Sequence, residues 1–257
     1  MAVARIRLFS RALGMCVTCE AILPQRQDAA PGVKTPVLWL LHGAWGNHTD
    51  WLRRTNIERY AAPHGLAVIM PSADNSCYTD MAHGLKFYTY IARELPEALP
   101  RMLNLSTARE DNFIAGLSMG GAGSMMIGLS RPEKYAAIGC LSAGAENREG
   151  ALRLGRRGEW TFGEGPFEGT YKDPWGSAQR IVREQLPCPR IYHACGSEDF
   201  LLPSAHATRD FFTSFPGNPF DYHYVEEPGA HTWDFWDAHI KEFIEFLHLP
   251  KRNEEYC

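Results

Sequence analysis

A serine, an aspartate and a histidine carry the chemistry available to this chain. Ser118 lies in Gly116-Leu117-Ser118-Met119-Gly120, a G-x-S-x-G segment. The apolar run Asn112-Phe113-Ile114-Ala115 before it has strand character. Gly121-Ala122-Gly123-Ser124-Met125-Met126-Ile127 after it is small and then apolar, as a helix packed closely on a sheet requires. Strand, sharp turn and helix make this pentapeptide a candidate nucleophile elbow, whose strained backbone lifts the serine Oγ clear of the sheet. Small residues two positions either side keep Cβ atoms out of the strand–helix approach. A Gly-rich turn with an incidental serine is the bland alternative, and the partners downstream weigh against it.

A serine hydroxyl is a weak nucleophile at neutral pH and needs a base, which in turn needs an orienting acid. In one chain order used by such triads the acid and then the histidine follow the serine. Arg190-Ile191-Tyr192-His193-Ala194-Cys195 reads as a buried strand running into Gly196-Ser197-Glu198-Asp199-Phe200. A carboxylate just past a strand end shares the elbow's edge of a parallel sheet, so Asp199 is the expected acid. Glu198 is its rival and reads as a solvated turn residue. Asp221 to Glu226 alternates like a further strand, and Glu227-Pro228-Gly229-Ala230-His231 follows it. His231 then sits on the loop before the last helix, where the base belongs. His193 and His223 fall inside strands and read as structural.

The run Val37-Leu38-Trp39-Leu40-Leu41 is apolar throughout, as in a strand buried on both faces, and ends in His42-Gly43-Ala44-Trp45-Gly46. Backbone N–H groups in such a loop are fixed before reaction and stabilise a developing oxyanion without reorganising. The expected donors are Met119, next after the nucleophile, and Ala44, with Trp45 as the alternative second donor. His42 reads as a brace for the loop.

With 257 residues the chain fits one domain, 1–257. The formal net charge of −4 and the lack of a basic stripe argue against a nucleic-acid partner. Arg153, Arg156 and Arg157 are the densest basic patch and read as a solvated loop. There is no H-E-x-x-H and no second C-x-x-C beside Cys16 and Cys19, so no metal is expected. Seven cysteines cannot all pair within one chain, which reads as free thiols in a reducing compartment. No apolar stretch is long enough for a membrane span. Arg5 and Arg7 interrupt the N-terminal region where a signal peptide would be apolar. The expected location is cytoplasmic.

Two antiparallel strands are expected at the start, with Ala4, Ile6 and Leu8 alternating against Arg5 and Arg7. From Val37 onward strands alternate with helices, the sign of a mostly parallel sheet covered on both faces. Lys86 to Leu105 is helical in pattern, but Pro96 and Pro100 must kink or divide it. The final helix puts Trp236, Ile240, Phe243, Ile244 and Leu247 on one stripe. Residues 145–187 break the alternation: they are Gly-rich and carry Trp160, Phe162, Phe167, Tyr171 and Trp175. This is the expected cap. Its aromatics either line an acyl pocket or form a satellite core, and substrate contact is expected of Trp160 and, from the oxyanion loop, of Trp45.

The segments Phe9-Ser10 with Leu13-Gly14-Met15, Ile22-Leu23-Pro24, Leu40-Leu41-His42-Gly43 with Gly46-Asn47 and Asp50-Trp51, Asn112 to Gly121, Pro132-Glu133-Lys134-Tyr135, and Gly196-Ser197-Glu198-Asp199-Phe200-Leu201 span nearly the whole chain. Together they resemble the esterase D-like branch of the α/β-hydrolases, especially the small tributyrin esterases and the feruloyl or acetyl esterases. The resemblance implies an α/β-hydrolase fold: a mostly parallel central sheet with helices on both faces and a short cap insertion. It also implies the triad Ser118, Asp199 and His231, oxyanion donors from Ala44 and Met119, no cofactor, and a homo-dimer or tetramer. The cap matches least, and a bulky Trp45 narrows the acyl site.

The function expected from these residues is a serine carboxylesterase for short-chain or aromatic acyl esters, such as acetyl, butyryl or feruloyl esters. An S-formylglutathione hydrolase-like thioesterase and an acyltransferase share the same triad. An inactive hydrolase fold used for binding is the reading from another class; a full triad with both oxyanion loops argues against it.

Overall fold

The computed structural model describes residues 1–25, 32–145, 150 and 155–251. β1 (Ala2–Ser10) and β2 (Met15–Leu23) form an antiparallel hairpin. Its alternation follows the sequence: Arg5 and Arg7 face solvent, while Ile6 and Leu8 turn toward the core. β3 (Val37–Leu41) is followed by α1 (Asp50–Arg54), α2 (Ile57–Ala61) and β4 (Ala67–Pro71). A helical stretch from Phe87 ends in α3 (Leu95–Met102). Then come β5 (Asn112–Leu117), α4 (Met119–Ser130), β6 (Ala137–Leu141), α5 (Arg156–Phe162) and α6 (Pro174–Arg183). The chain continues through β7 (Arg190–Gly196), α7 (Leu202–Thr213), β8 (His223–Glu227) and α8 (Trp233–Phe246).

The strands form one sheet in the order β1-β2-β4-β3-β5-β6-β7-β8, parallel from β4 to β8. Successive side chains of a strand point to opposite faces, so the all-apolar β3 feeds two cores. Val37, Trp39 and Leu41 join Ile69, Ile114, Met125 and Phe212 on one face. Leu38 and Leu40 join Val68, Phe113, Ile240 and Phe243 on the other. The stripe read on the final helix is what closes this second core: all five of its residues are buried. Each such side chain contributes about 1.5–3 kcal/mol by leaving water.

Pro96 divides the helix as expected, whereas Pro100 is carried inside α3, which runs on to Met102. Phe87–Thr89 is α-helical, Tyr90–Glu94 is a π turn, and α3 takes Pro96 into its first turn. Pro96 has no N–H to give, and the Ala92 carbonyl instead accepts a hydrogen bond from Arg131 Nη1.

Parts of the expected cap, 146–149 and 151–154, lie outside the described residues, as do Arg153 and Cys257. In the remainder two of the five aromatics pack on the body and two on each other. Tyr171 stacks on Tyr88 at 3.7 Å and Trp175 on Phe211 at 4.6 Å. Phe167 is buried and its ring lies 5.2 Å from that of Phe162. α6 lies against α4 and so belongs to the main helical layer. α5 is tied down by Ala82 N–H to Thr161 O, His83 N–H to Trp160 O, both 3.0 Å, and Lys172 Nζ to Phe162 O at 2.9 Å. Among the described residues, no helix is long and apolar enough to cross a membrane, and no cluster of side chains has the make-up of a metal site. Among the described residues no cysteine is in a disulfide; Cys16 is exposed and Cys19 buried, in keeping with their odd spacing on one strand.

Candidate active site

Ser118 is the single residue between β5 and α4, with φ 53° and ψ −121°. That is far from the usual wells of an L-residue and costs on the order of 1–3 kcal/mol. Two neighbours make the turn possible because they lack Cβ atoms. A Cβ on Gly116 would run into the Gly120 backbone, and one on Gly120 would lie 2.5 Å from Leu41 O. The Ser118 N–H donates to Leu141 O at 2.8 Å, locking the turn to β6.

β5, β6, β7 and β8 are parallel neighbours, so the segments that leave their carboxyl ends emerge on one edge. Ser118 follows β5, Asp199 lies just past β7, and His231 lies on the loop after β8. His231 Nδ1 is 2.8 Å from Asp199 Oδ2 and 3.0 Å from Oδ1. The Asp199 side chain is wholly buried, whereas that of His231 keeps 19% of its surface in solvent. Asp199 Oδ1 also accepts from the Leu201 N–H at 2.8 Å. Burial alone would raise the Asp199 pKa. Hydrogen bonds from His231, Leu201 N–H and Ser142, with the His231 charge, outweigh burial and hold it below the ordinary carboxylate value. A carboxylate on Nδ1 fixes the ring proton there and leaves Nε2 as the acceptor. Glu198 is exposed, and its N–H is spent on Gly229 O at 2.9 Å.

The loop after β3 turns at Gly43–Gly46, with Gly46 N–H donating to Gly43 O at 3.2 Å. His42 braces it from inside. Its Nε2 accepts from the Ala73 N–H at 2.9 Å, so Nδ1 carries the proton and donates to Gly43 O at 2.7 Å. Burial lowers the His42 pKa, against the Gly43 hydrogen bond and the Asp50 and Asp74 charges that raise it, so the ring stays neutral in this role. Tyr78 OH donates to His42 O at 2.8 Å from below. The Trp45 N–H donates to Asn75 Oδ1 at 2.8 Å. The Ala44 N–H has no such partner among the described residues. Met119 opens α4, so its N–H has no intrahelical acceptor. Of the two loop donors, Ala44 is therefore the one left available.

The Trp45 side chain is 86% exposed and that of Trp160 57%. Trp160 stands edge-on to His83 at 5.8 Å. Three further residues touch the acid–base pair and were not read from the sequence as site residues. Phe200, exposed, has its ring 4.5 Å from that of His231. Trp236 stands edge-on to His231 at 4.9 Å and donates from Nε1 to Ser142 Oγ at 2.9 Å. Phe200 adjoins the acid in sequence, which is a usable signal; Trp236 reads only as a core position, and Ser142 carries no signal at all. A concavity of about 670 Å³ along α8, between Tyr60, Tyr192, Lys241 and Phe246, is lined by none of Ser118, Asp199 or His231.

The model of the Esterase family matches residues 10–247, and the chain belongs to that family. An acetyl esterase of Caldicellulosiruptor saccharolyticus is 30% identical, over 96% of this chain and 98% of its own length. The substrate-bound structure of FphF, a fluorophosphonate-binding serine hydrolase of Staphylococcus aureus, is 33% identical and superposes with a TM-score of 0.87 over 96% of this chain and 98% of that one. An S-formylglutathione hydrolase, FrmB, also from Staphylococcus aureus, is 33% identical with a TM-score of 0.84 over the same shares of each chain. The fold is that of the α/β-hydrolases, and the chain is a carboxylic ester hydrolase of the serine type.

Proposed function

We propose that this Esterase-family chain hydrolyses short-chain or aromatic acyl esters through an acyl-enzyme on Ser118. The observation that carries the reading is the pair of buried Asp199 and part-exposed His231, 2.8 Å apart, on the sheet edge where Ser118 follows β5 at positive φ. His231 Nε2 takes the Ser118 proton as Oγ attacks the ester carbonyl. Asp199 stays ionised and stabilises the imidazolium that forms. The carbonyl oxygen becomes negative and is held by the Ala44 and Met119 N–H groups. Collapse of this intermediate breaks the acyl–oxygen bond, and His231 returns its proton to the departing alcohol. Water then attacks the acyl-serine by the same steps, releasing the acid and restoring Ser118. The residues supply nucleophile, base and electrophile, so no cofactor or metal enters.

Trp160 and Trp45 are assigned to the acyl site, Trp160 from the cap, 145–187, and Trp45 from the loop after β3. Large exposed aromatic faces suit apolar acyl chains. The similarity to an S-formylglutathione hydrolase supports a second reading, a thioesterase for small acyl thioesters. The proposal extends to a cytoplasmic dimer or tetramer, in keeping with the absence of a disulfide among the described residues and an open edge strand, β1. A fluorophosphonate probe should add one label to the peptide carrying Ser118, and Ser118→Ala should abolish it; undiminished labelling of that variant would remove the nucleophile. A panel of p-nitrophenyl esters, methyl ferulate and S-formylglutathione separates the two substrate readings by kcat/KM.

A further inference from the structure

Ser142 is the first residue past β6, and β6 lies between β5 and β7. It therefore stands on the reactive edge between the strand that presents Ser118 and the strand that leads to Asp199. It is wholly buried, and its backbone is left-handed at φ 49°, a conformation that strains any residue but glycine. Its N–H donates to Ala194 O at 2.8 Å, which ties the turn to β7. Its Oγ accepts the Trp236 Nε1–H at 2.9 Å. A hydroxyl occupied in this way still has its own proton to give. Asp199 is the group that gains from it: against the effect of burial, Ser142 joins His231 and the Leu201 N–H in favouring the ionised carboxyl. Trp236 also meets the other half of the pair, its ring perpendicular to His231 at 89° and 4.9 Å.

We propose that Ser142 and Trp236 are positioning residues for the acid–base pair. The indole N–H orients the Ser142 hydroxyl, that hydroxyl supports the Asp199 carboxylate, and the indole edge limits how the imidazole can turn. One side chain from the last helix thereby bears on both partners. The proposal rests on the triad reading given above.

The test uses Ser142→Gly, which removes the hydroxyl and relaxes the left-handed backbone, and Trp236→Phe, which removes the N–H and keeps an aromatic wall. Both are compared with Ser118→Ala and Asp199→Asn on p-nitrophenyl acetate. Each single change should lower kcat about tenfold while KM stays within about twofold, because a hydrogen bond to a charged group is lost and no substrate contact is. Ser142→Gly should keep its melting temperature. The double variant should fall no further than the weaker single, since both cut one chain of hydrogen bonds. Parental kcat in Ser142→Gly beside an inactive Asp199→Asn overturns the proposal and leaves the triad standing. Full activity in Asp199→Asn overturns both. Additive losses in the double variant exclude a shared chain and overturn it as well. Ser142→Gly decides the matter alone if Trp236→Phe does not fold.

Discussion

Replacing Gly120 with alanine probes the elbow at its tightest point. A Cβ there would lie 2.5 Å from Leu41 O and 2.6 Å from His42 O, with Leu41 C at 2.8 Å. All three are backbone atoms, so no rotamer change relieves the clash. Ordinary contact begins at 3.4 Å, so the first turn of α4 and the end of β3 must part by 0.9 Å (3.4 − 2.5). These are the segments that carry the Met119 and Ala44 N–H groups, and Ser118 moves with the first. Overpacking of this kind costs about 1–3 kcal/mol. In a domain of this size the melting temperature should fall by roughly 2–12 °C. A displacement of about 1 Å among reacting groups costs on the order of 10²-fold in rate. With p-nitrophenyl acetate, kcat of Gly120→Ala should therefore fall about 100-fold, with KM moving less than about threefold. Gly165→Ala is the control: nothing lies within 4 Å of its Cβ and its φ is ordinary. Parental kcat in Gly120→Ala would refute the argument that strand and helix approach here only through a missing side chain.

Asp199→Asn should lower kcat by several orders of magnitude with the fold intact, since an amide cannot hold the His231 proton on Nδ1; the same exchange in a serine protease triad costs about 10⁴-fold. Glu198→Gln should be nearly silent, and the reverse pattern would reassign the acid. Trp160→Ala should reduce kcat/KM for butyryl and feruloyl esters well beyond acetyl, by roughly fourfold per methylene contacted; an equal loss on all three would point to cap docking through His83 instead. Burial pushes the His193 pKa down to about 4, while Tyr222 OH donates to its Nδ1 and Nε2–H donates to Ala143 O. Between that value and the ordinary histidine value the unfolded chain binds the extra proton, so stability should fall as pH drops from about 6.5 to 4. Depressed in the same direction by burial, His42 adds to the trend, and Asp199 contributes a further loss only below its unfolded pKa of 3.8. Melting temperatures across this range should show the decline, and His193→Gln should flatten it; an unchanged slope would exclude His193 as a source.

The elbow is legible in the sequence because every requirement it meets is local. A strand, a serine between two glycines and a helix of small residues all fall within one short stretch, and the structure adds only the reason the glycines are needed. Asp199 and His231 are legible at one remove: each follows a strand, and parallel strands end on one edge. The all-apolar β3 and the stripe on α8 announce burial by period alone. Pro96 announces a break, but its accommodation by a π turn and Arg131 depends on a residue from the far side of α4.

Other features were decided only in three dimensions. The choice between Ala44 and Trp45 as donor turns on Asn75, which takes the Trp45 N–H from 30 positions away. The aromatics of residues 155–175 look alike in sequence, yet Tyr88 and Phe211 claim Tyr171 and Trp175 for the body and leave Trp160 exposed. Ser142 has no pattern around it, and Trp236, 94 residues on, reads as one more apolar position. The sequence by itself therefore determined the candidate reacting groups and the strands that carry them, because residue type and short-range period encode those. Tertiary structure alone decided which donors are free, which rings are available and what braces the acid. Those properties belong to hydrogen-bond partners supplied by distant segments, and no local pattern records which distant group will arrive.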